Sequence, residues 1–226
     1  MCGRFIQKKS AKEYGVLFKA RATGPGRAPS WNIPPGQPVM AVREKAPGEG
    51  PELWTPVWGL IPHWARERGS FHTINARIET VDTKPAYRDS FRRRRCLIPS
   101  EGYYEWQERP AGKQPFFIHR PDGRTFALAG LWDAWTEPGG TGIETFTIIV
   151  RPARPDMLFI HDRMPALLSE ERWGPWMDPA LTTPSGIMEI LTGPDTVPLV
   201  FDPVGRSVNN PQNDGEELVQ PVSPRE

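Results

Sequence analysis

Cysteine and histidine are scarce in this chain of 226 residues. It has two cysteines, Cys2 and Cys96, and four histidines, at positions 63, 72, 119 and 161. Two cysteines do not make a disulfide framework, so a reducing, cytoplasmic setting is the simplest expectation. The six residues show no zinc-type spacing, and no metal site is expected. A phosphate-binding glycine loop and a nucleophile elbow are both missing. No apolar stretch approaches the roughly 18 residues of a membrane span. The opening MCGRFIQKKS lacks the apolar run of a signal peptide, so Cys2 is not expected to anchor a lipid. Charge of one sign is missing too. Lys and Arg number 28 and Asp and Glu 27, a formal net charge of +1, so any basic surface must be local.

What is present is proline, glycine and aromatics. The 27 Pro and 21 Gly together stay below the roughly 25–30% typical of low-complexity chains, which indicates a loop-rich globular fold. Nine Trp and ten Phe supply a packed interior with aromatics to spare. Helical signals are few: SAKEYGVLFKA with Ser10 and Glu13 at capping-box spacing, LSEERWGPWM limited by Pro175, and TPSGIMEILTG from Thr183 and Pro184 to Gly193. Strand signals dominate elsewhere, in QPVMAV, LWTPVWGLI, RCLIP, GYYEW, FFIHR, TFALAGLW and ETFTIIV. The PDG between FFIHR and RTFALAGLW predicts a hairpin turn. The expectation is one α+β domain with a largely antiparallel, barrel-like β core and a few short flanking helices. It spans residues 1–221, with 222–226 as a loose tail.

Several stretches could carry chemistry. Read as a strand, INARIET puts Asn75, Arg77 and Glu79 on one face, either as a polar site or as an ordinary wet face. SEGYYEWQ offers Glu101 and Glu105. A Glu between Tyr104 and Trp106 is a candidate for partial desolvation, which raises a carboxyl pKa and suits acid–base work; a solvated strand residue is the alternative. FIHDRMP places His161 two residues before Arg163. The run FRRRRCLIP reads as a solvated face or a phosphate-facing one. Trp58 and Trp64 flank an Ile-Pro turn, where a core role competes with stacking on a base. Cys96 reads as a small buried hydrophobe. Cys2 poses the sharpest question: if Met1 is removed, it carries an α-amine and a thiol on adjacent carbons, a 1,2-aminothiol possible at only one position in a protein.

The order of MCGRF, WGLIPHWA, NARIET, RRRRCLIPSEGYYEW, AGLW, HDRMP and SVNNPQND along the chain resembles the SOS response-associated peptidase (SRAP) family. The resemblance runs from Met1 to about Pro221 and implies the family's fold. It also implies a protein that meets abasic sites in single-stranded DNA and links itself to them covalently, as part of the response to DNA damage. By resemblance, Cys2 is the nucleophile and Asn75, Glu105 and His161 are the other catalytic residues. Arg77 and Arg163, with Arg4 and Trp64, are the DNA contacts. No cofactor is implied, and the expected form is a monomer that meets no membrane. The rival activities are a thiol peptidase, with Cys2 activated by His161 and oriented by Asn75, and a non-covalent single-strand DNA-binding module. Removal of its own Met1 fits both the covalent and the peptidase readings. Two departures from the family pattern are Pro34 in WNIPPGQ and the Tyr pair of GYYEW, whose extra hydroxyl needs a partner.

Overall fold

The long strands alternate between two apolar layers, and that alternation sets the architecture. A computed structural model of the chain describes residues 2–68, 73–137, 139–194 and 196–223. Met1, His72 and the last three residues of the expected tail lie outside the described residues. In the strand Phe126–Thr136, Phe126, Leu128 and Trp132 face one layer while Ala127, Ala129 and Leu131 face the other. The strands Arg95–Ser100 and Gly142–Pro152 divide the same way, with Cys96, Ile98, Ile148 and Val150 inward of Leu97 and Ile149. The first layer joins two sheets. The second is covered by four short helices, Ala11–Phe18, Arg88–Arg93, Glu170–Met177 and Pro184–Thr192.

The smaller sheet has five antiparallel strands in the order Val200–Pro203, Gln114–His119, Gly102–Gln107, Phe5–Gln7 and Ser30–Ile33. The larger has a main path of Arg163–Pro165, Gly142–Pro152, Phe126–Thr136, Arg95–Ser100, Ala41–Arg43, Glu52–Trp54 and Arg21–Ala22. Two short strands, Val57–Trp58 and Asn75–Arg77, pair in parallel with successive parts of Gly142–Pro152. The expected α+β fold with a largely antiparallel, barrel-like core is the observed one: a mixed sheet curled into a half-barrel with a few short helices. Among the described residues, no helix is long and apolar enough to cross a membrane.

Local chemistry explains the elements. The first helix starts on the expected capping box, in which Ser10 Oγ accepts from the Glu13 N–H and Glu13 Oε2 accepts from the Ser10 N–H at 2.8 Å. Gly102 allows its strand to pack against a buried ring, because a Cβ there would lie well inside van der Waals contact of Phe117. Gly102→Ala is therefore expected to destabilise the fold by about 1–3 kcal/mol, the usual range for overpacking; thermal unfolding measures it, and an unchanged midpoint would show that Phe117 moves aside freely.

Four readings of the sequence need correction. Pro175 does not end its helix, which continues to Met177. The turns on either side are held by Trp173 Nε1–H donating to the Leu168 carbonyl and Trp176 Nε1–H to that of Cys96, both at 2.9 Å. The PDG stretch does not close a hairpin, because Gln114–His119 and Phe126–Thr136 belong to different sheets and the turn carries the chain between them. The basic run is not one strand: Phe91–Arg93 end a helix and Arg95 begins a strand. Arg95 is buried and donates to five backbone carbonyls, of Phe91, Arg92, Trp176, Asp178 and Leu181, tying helix ends together. INARIET is a strand only over Asn75–Arg77, and Glu79 sits in the turn that follows.

Candidate active site

Phe5–Gln7 lies in the interior of the smaller sheet, between Gly102–Gln107 and Ser30–Ile33. A three-residue strand has little intrinsic stability, and its two neighbours and buried Phe5 and Ile6 hold it. Its register, Phe5 opposite Tyr103, continues with Tyr104 N–H donating to the Arg4 carbonyl at 2.9 Å. The chain is thereby led back along the neighbouring strand toward Glu105, and Cys2 is fully buried. Burial pushes the Cys2 thiol far above its ordinary range, the Glu105 carboxylate pushes the same way, and a hydrogen bond with the Arg4 backbone partly opposes them. The thiol is held protonated.

Asn75 enters from the other sheet. Its strand pairs with Ile148–Val150, and its Nδ2–H donates to the Cys2 carbonyl at 2.9 Å. The Oδ1 of the same amide is buried and has no hydrogen-bond partner among the described residues. A buried acceptor without a partner is costly, so this amide is half-used. The Asn75 carbonyl accepts from Tyr87 Oη at 3.2 Å, which fixes the backbone behind it.

Glu105 is buried on the Gly102–Gln107 strand, with Oε1 accepting from the Trp106 N–H at 3.2 Å. It borders an open cleft of about 990 Å³ whose walls include Trp106, Phe159, His161, Lys113 and Arg206, with Ile74 contributing the neighbour of Asn75. His161 Nδ1 lies 2.9 Å from the Arg163 N–H and 2.9 Å from Asp162 Oδ1. A neutral ring that accepts from Arg163 carries its proton on Nε2; a protonated ring turns Nδ1–H toward Asp162. The two neighbours fix the ring in the wall of the cleft.

The two strands thus bring together Cys2, Asn75 and Glu105, and Glu105 shares the cleft with His161. The other sequence candidates sit around them. Arg77 is exposed at the end of the Asn75 strand. Arg163 pairs with Glu79 across the following turn. Arg4 is turned inward: Nη1 donates to Asn32 Oδ1 at 2.6 Å and to the Val208 carbonyl at 3.0 Å, and its guanidinium lies 6.0 Å from the Trp106 ring centre. Trp64 is half-exposed on a separate loop and does not border the cleft. Trp58, by contrast, is core. Glu101 does not join Glu105; it lies at the bend before the strand, where Tyr14 Oη, Thr125 Oγ1 and the Lys8 N–H take its oxygens. The hydroxyls of the Tyr pair find partners, Tyr104 with the Trp31 carbonyl at 2.8 Å and Tyr103 with Met157 Sδ at 3.4 Å.

Sequence reasoning missed Asn32 and the far wall of the cleft. Asn32 Nδ2 donates to the carbonyls of Val208, Asn210 and Asn213, so WNIPP and SVNNPQND are two halves of one knot behind Arg4. Asn209 of the second motif accepts from Trp106 Nε1–H at 2.7 Å. A lone Asn in a proline-rich stretch carries no signal for either contact. Among the described residues, no three His, Cys, Asp or Glu side chains converge as a metal cluster.

The fold defines a class: half-barrel proteins built on a mixed sheet with a few short flanking helices. The family model described as SOS response associated peptidase (SRAP) matches residues 1–211, and the chain belongs to that family. The chain is 36% identical over 224 residues to the abasic site processing protein YoqW of Bacillus subtilis, covering 97% of this chain and 99% of that one. It is 31% identical over 230 residues to the abasic site processing protein YedK of Escherichia coli, covering 98% and 100%. An X-ray structure of a Bacteroides thetaiotaomicron protein shares the fold with a TM-score of 0.86 at 24% identity, over 98% of this chain and 100% of that one.

Proposed function

We propose that this protein processes abasic sites in single-stranded DNA by forming a covalent thiazolidine with Cys2 once Met1 is removed. The observation that carries the reading is the Asn75 amide. It already grips the Cys2 carbonyl through Nδ2 and holds a buried, unfilled acceptor alongside. A freed α-amine on the same residue supplies the N–H that this acceptor lacks.

The chemistry balances without a cofactor. An abasic deoxyribose opens to an aldehyde at C1′. The α-amine, with a reference pKa of about 7.7–8.0, attacks as the free base; the carbinolamine loses one water to give an imine. The thiol then adds across the C=N bond: sulfur bonds to carbon, nitrogen takes the proton, and a five-membered ring closes. Glu105 moves protons during ring opening of the sugar and imine formation, and His161 assists from across the cleft. In this order the free-base α-amine is the first nucleophile, so no thiolate is required at the first step. Residues 1–221 form the proposed functional unit, and removal of its own Met1 is the proposed peptidase activity.

Arg77 and Arg163 are proposed to hold phosphates, which position a strand without reading its sequence. Loss of one contact, in Arg77→Ala or Arg163→Ala, is expected to flatten the single-strand salt dependence by about 0.7 in the log–log slope. Binding should weaken alike on different sequences. An unchanged slope in both variants would remove the two arginines from the DNA surface. The function itself is tested by incubating the protein with abasic single-stranded DNA and running a denaturing gel: a shifted, heat-stable band is expected, and its absence would contradict the covalent reading.

A further inference from the structure

We propose that Phe159 is a stacking platform for the nucleobase adjoining the abasic sugar, an inference that rests on the function proposed above. Phe159 is 52% exposed, and it borders the cleft that Glu105 and His161 share. An exposed hydrophobe alone signifies nothing; the support of this one is what matters. Its ring meets Phe116 at 5.7 Å and 88° and Phe201 at 5.8 Å and 81°, two edge-type contacts that brace it from neighbouring strands. Its carbonyl accepts from Gln107 Nε2–H at 2.7 Å, and the turn that contains it closes with the Ile160 N–H on the Met157 carbonyl at 2.9 Å. A flat apolar ring is held rigidly at the edge of a polar cleft, so little freedom is lost when a planar ligand covers it.

The other walls favour a nucleotide over an apolar peptide. Lys113 and Arg206 border the same cleft and are both exposed. Lys113 makes a surface pair with Glu108 at 2.7 Å and also feels the Glu105 carboxylate, and Arg206 donates to the Ala111 carbonyl at 3.0 Å, exchangeable contacts of small worth. Two cations beside an aromatic platform match a phosphodiester chain with stacked bases, and of the acids on the same walls Glu108 is paired with Lys113 and Asp162 with His161. Trp106, on the same cleft, has its indole N–H occupied by Asn209. Stacking of this kind accepts any base, because every base has a π-face. The site is therefore expected to require a base beside the lesion and to be indifferent to which one.

The test uses single strands carrying a tetrahydrofuran abasic analogue, which has no aldehyde, so that binding is measured without the covalent step. Phe159→Ala should bind roughly 5- to 140-fold more weakly than wild type, the range for loss of one stacked base. Replacing the neighbouring nucleotide on one side by a second analogue should weaken wild type to a similar degree and leave Phe159→Ala unchanged, so the two losses do not add. Phe159→Leu keeps apolar packing against Phe116 and Phe201 but offers no flat ring, and should behave like Ala; Phe159→Trp should retain binding. Wild-type affinity in the Leu variant would overturn the proposal. So would flanking-base removal that weakens wild type and Phe159→Ala equally. Crosslinking to true abasic DNA separates the two levels: an adduct with no dependence on Phe159 or its base removes only the platform, whereas no adduct from any form removes the function beneath it.

Discussion

A permanent N-terminal extension before Cys2 abolishes the heat-stable adduct with abasic single-stranded DNA, although the thiol remains in the chain. An amide nitrogen is no nucleophile toward an aldehyde, and a thiol alone gives only a reversible hemithioacetal. The expected loss is complete. A cleavable version of the extension provides the control, since protease treatment that exposes Cys2 should restore the adduct to the same preparation. Cys2→Ala tests the other half: with Met1 removed it keeps an amine and should give an imine that borohydride traps and heat destroys. A heat-stable adduct from the uncleaved extension, or from Cys2→Ala, would show that the aminothiol is not the reacting group.

Glu105→Gln is the second large effect. The carboxylate is buried beside the cleft, acts on the Cys2 thiol through space, and shares that cleft with His161. An amide keeps the shape and cannot move a proton, so the rate of adduct formation should fall by roughly 10²–10⁴, the usual contribution of a general acid–base group. Binding of the unreactive analogue should change little, because no phosphate contact is assigned to Glu105. A single-turnover time course on denaturing gels measures the rate. A parent-like rate in the Gln variant would leave Glu105 as a strand residue.

The sequence carries different amounts of information at different points of this molecule. The long strands around Ile98, Leu128 and Ile148 are legible because alternate residues pack into two separate layers, so the period of two survives in the sequence. The Ser10–Glu13 helix start is legible because its capping box is local. The PDG turn misleads because a turn signal says nothing about which sheet receives the next strand. The arginine run misleads because charge counts cannot distinguish an exposed Arg92 from an Arg95 whose guanidinium is consumed by carbonyls. At the site, Cys2 and Asn75 are separated by 73 positions and meet only through Phe5–Gln7 and Asn75–Arg77, strands too short to show a period. Their union was open to family resemblance and closed to pattern. Phe159 was invisible for a related reason: what distinguishes it from any surface phenylalanine is bracing by Phe116 and Phe201, from two other strands.

Thiol counting on the purified adduct tests the central claim most directly. The free chain has two cysteines. Alkylation of the adduct under denaturing, imine-preserving conditions, followed by intact mass measurement, reports how many thiols survive. Thiazolidine formation consumes the Cys2 thiol, so one alkyl group is predicted, on Cys96, in an adduct that lacks Met1 and has lost one water relative to protein plus DNA. An adduct that takes up two alkyl groups, or one that retains Met1, would contradict the account.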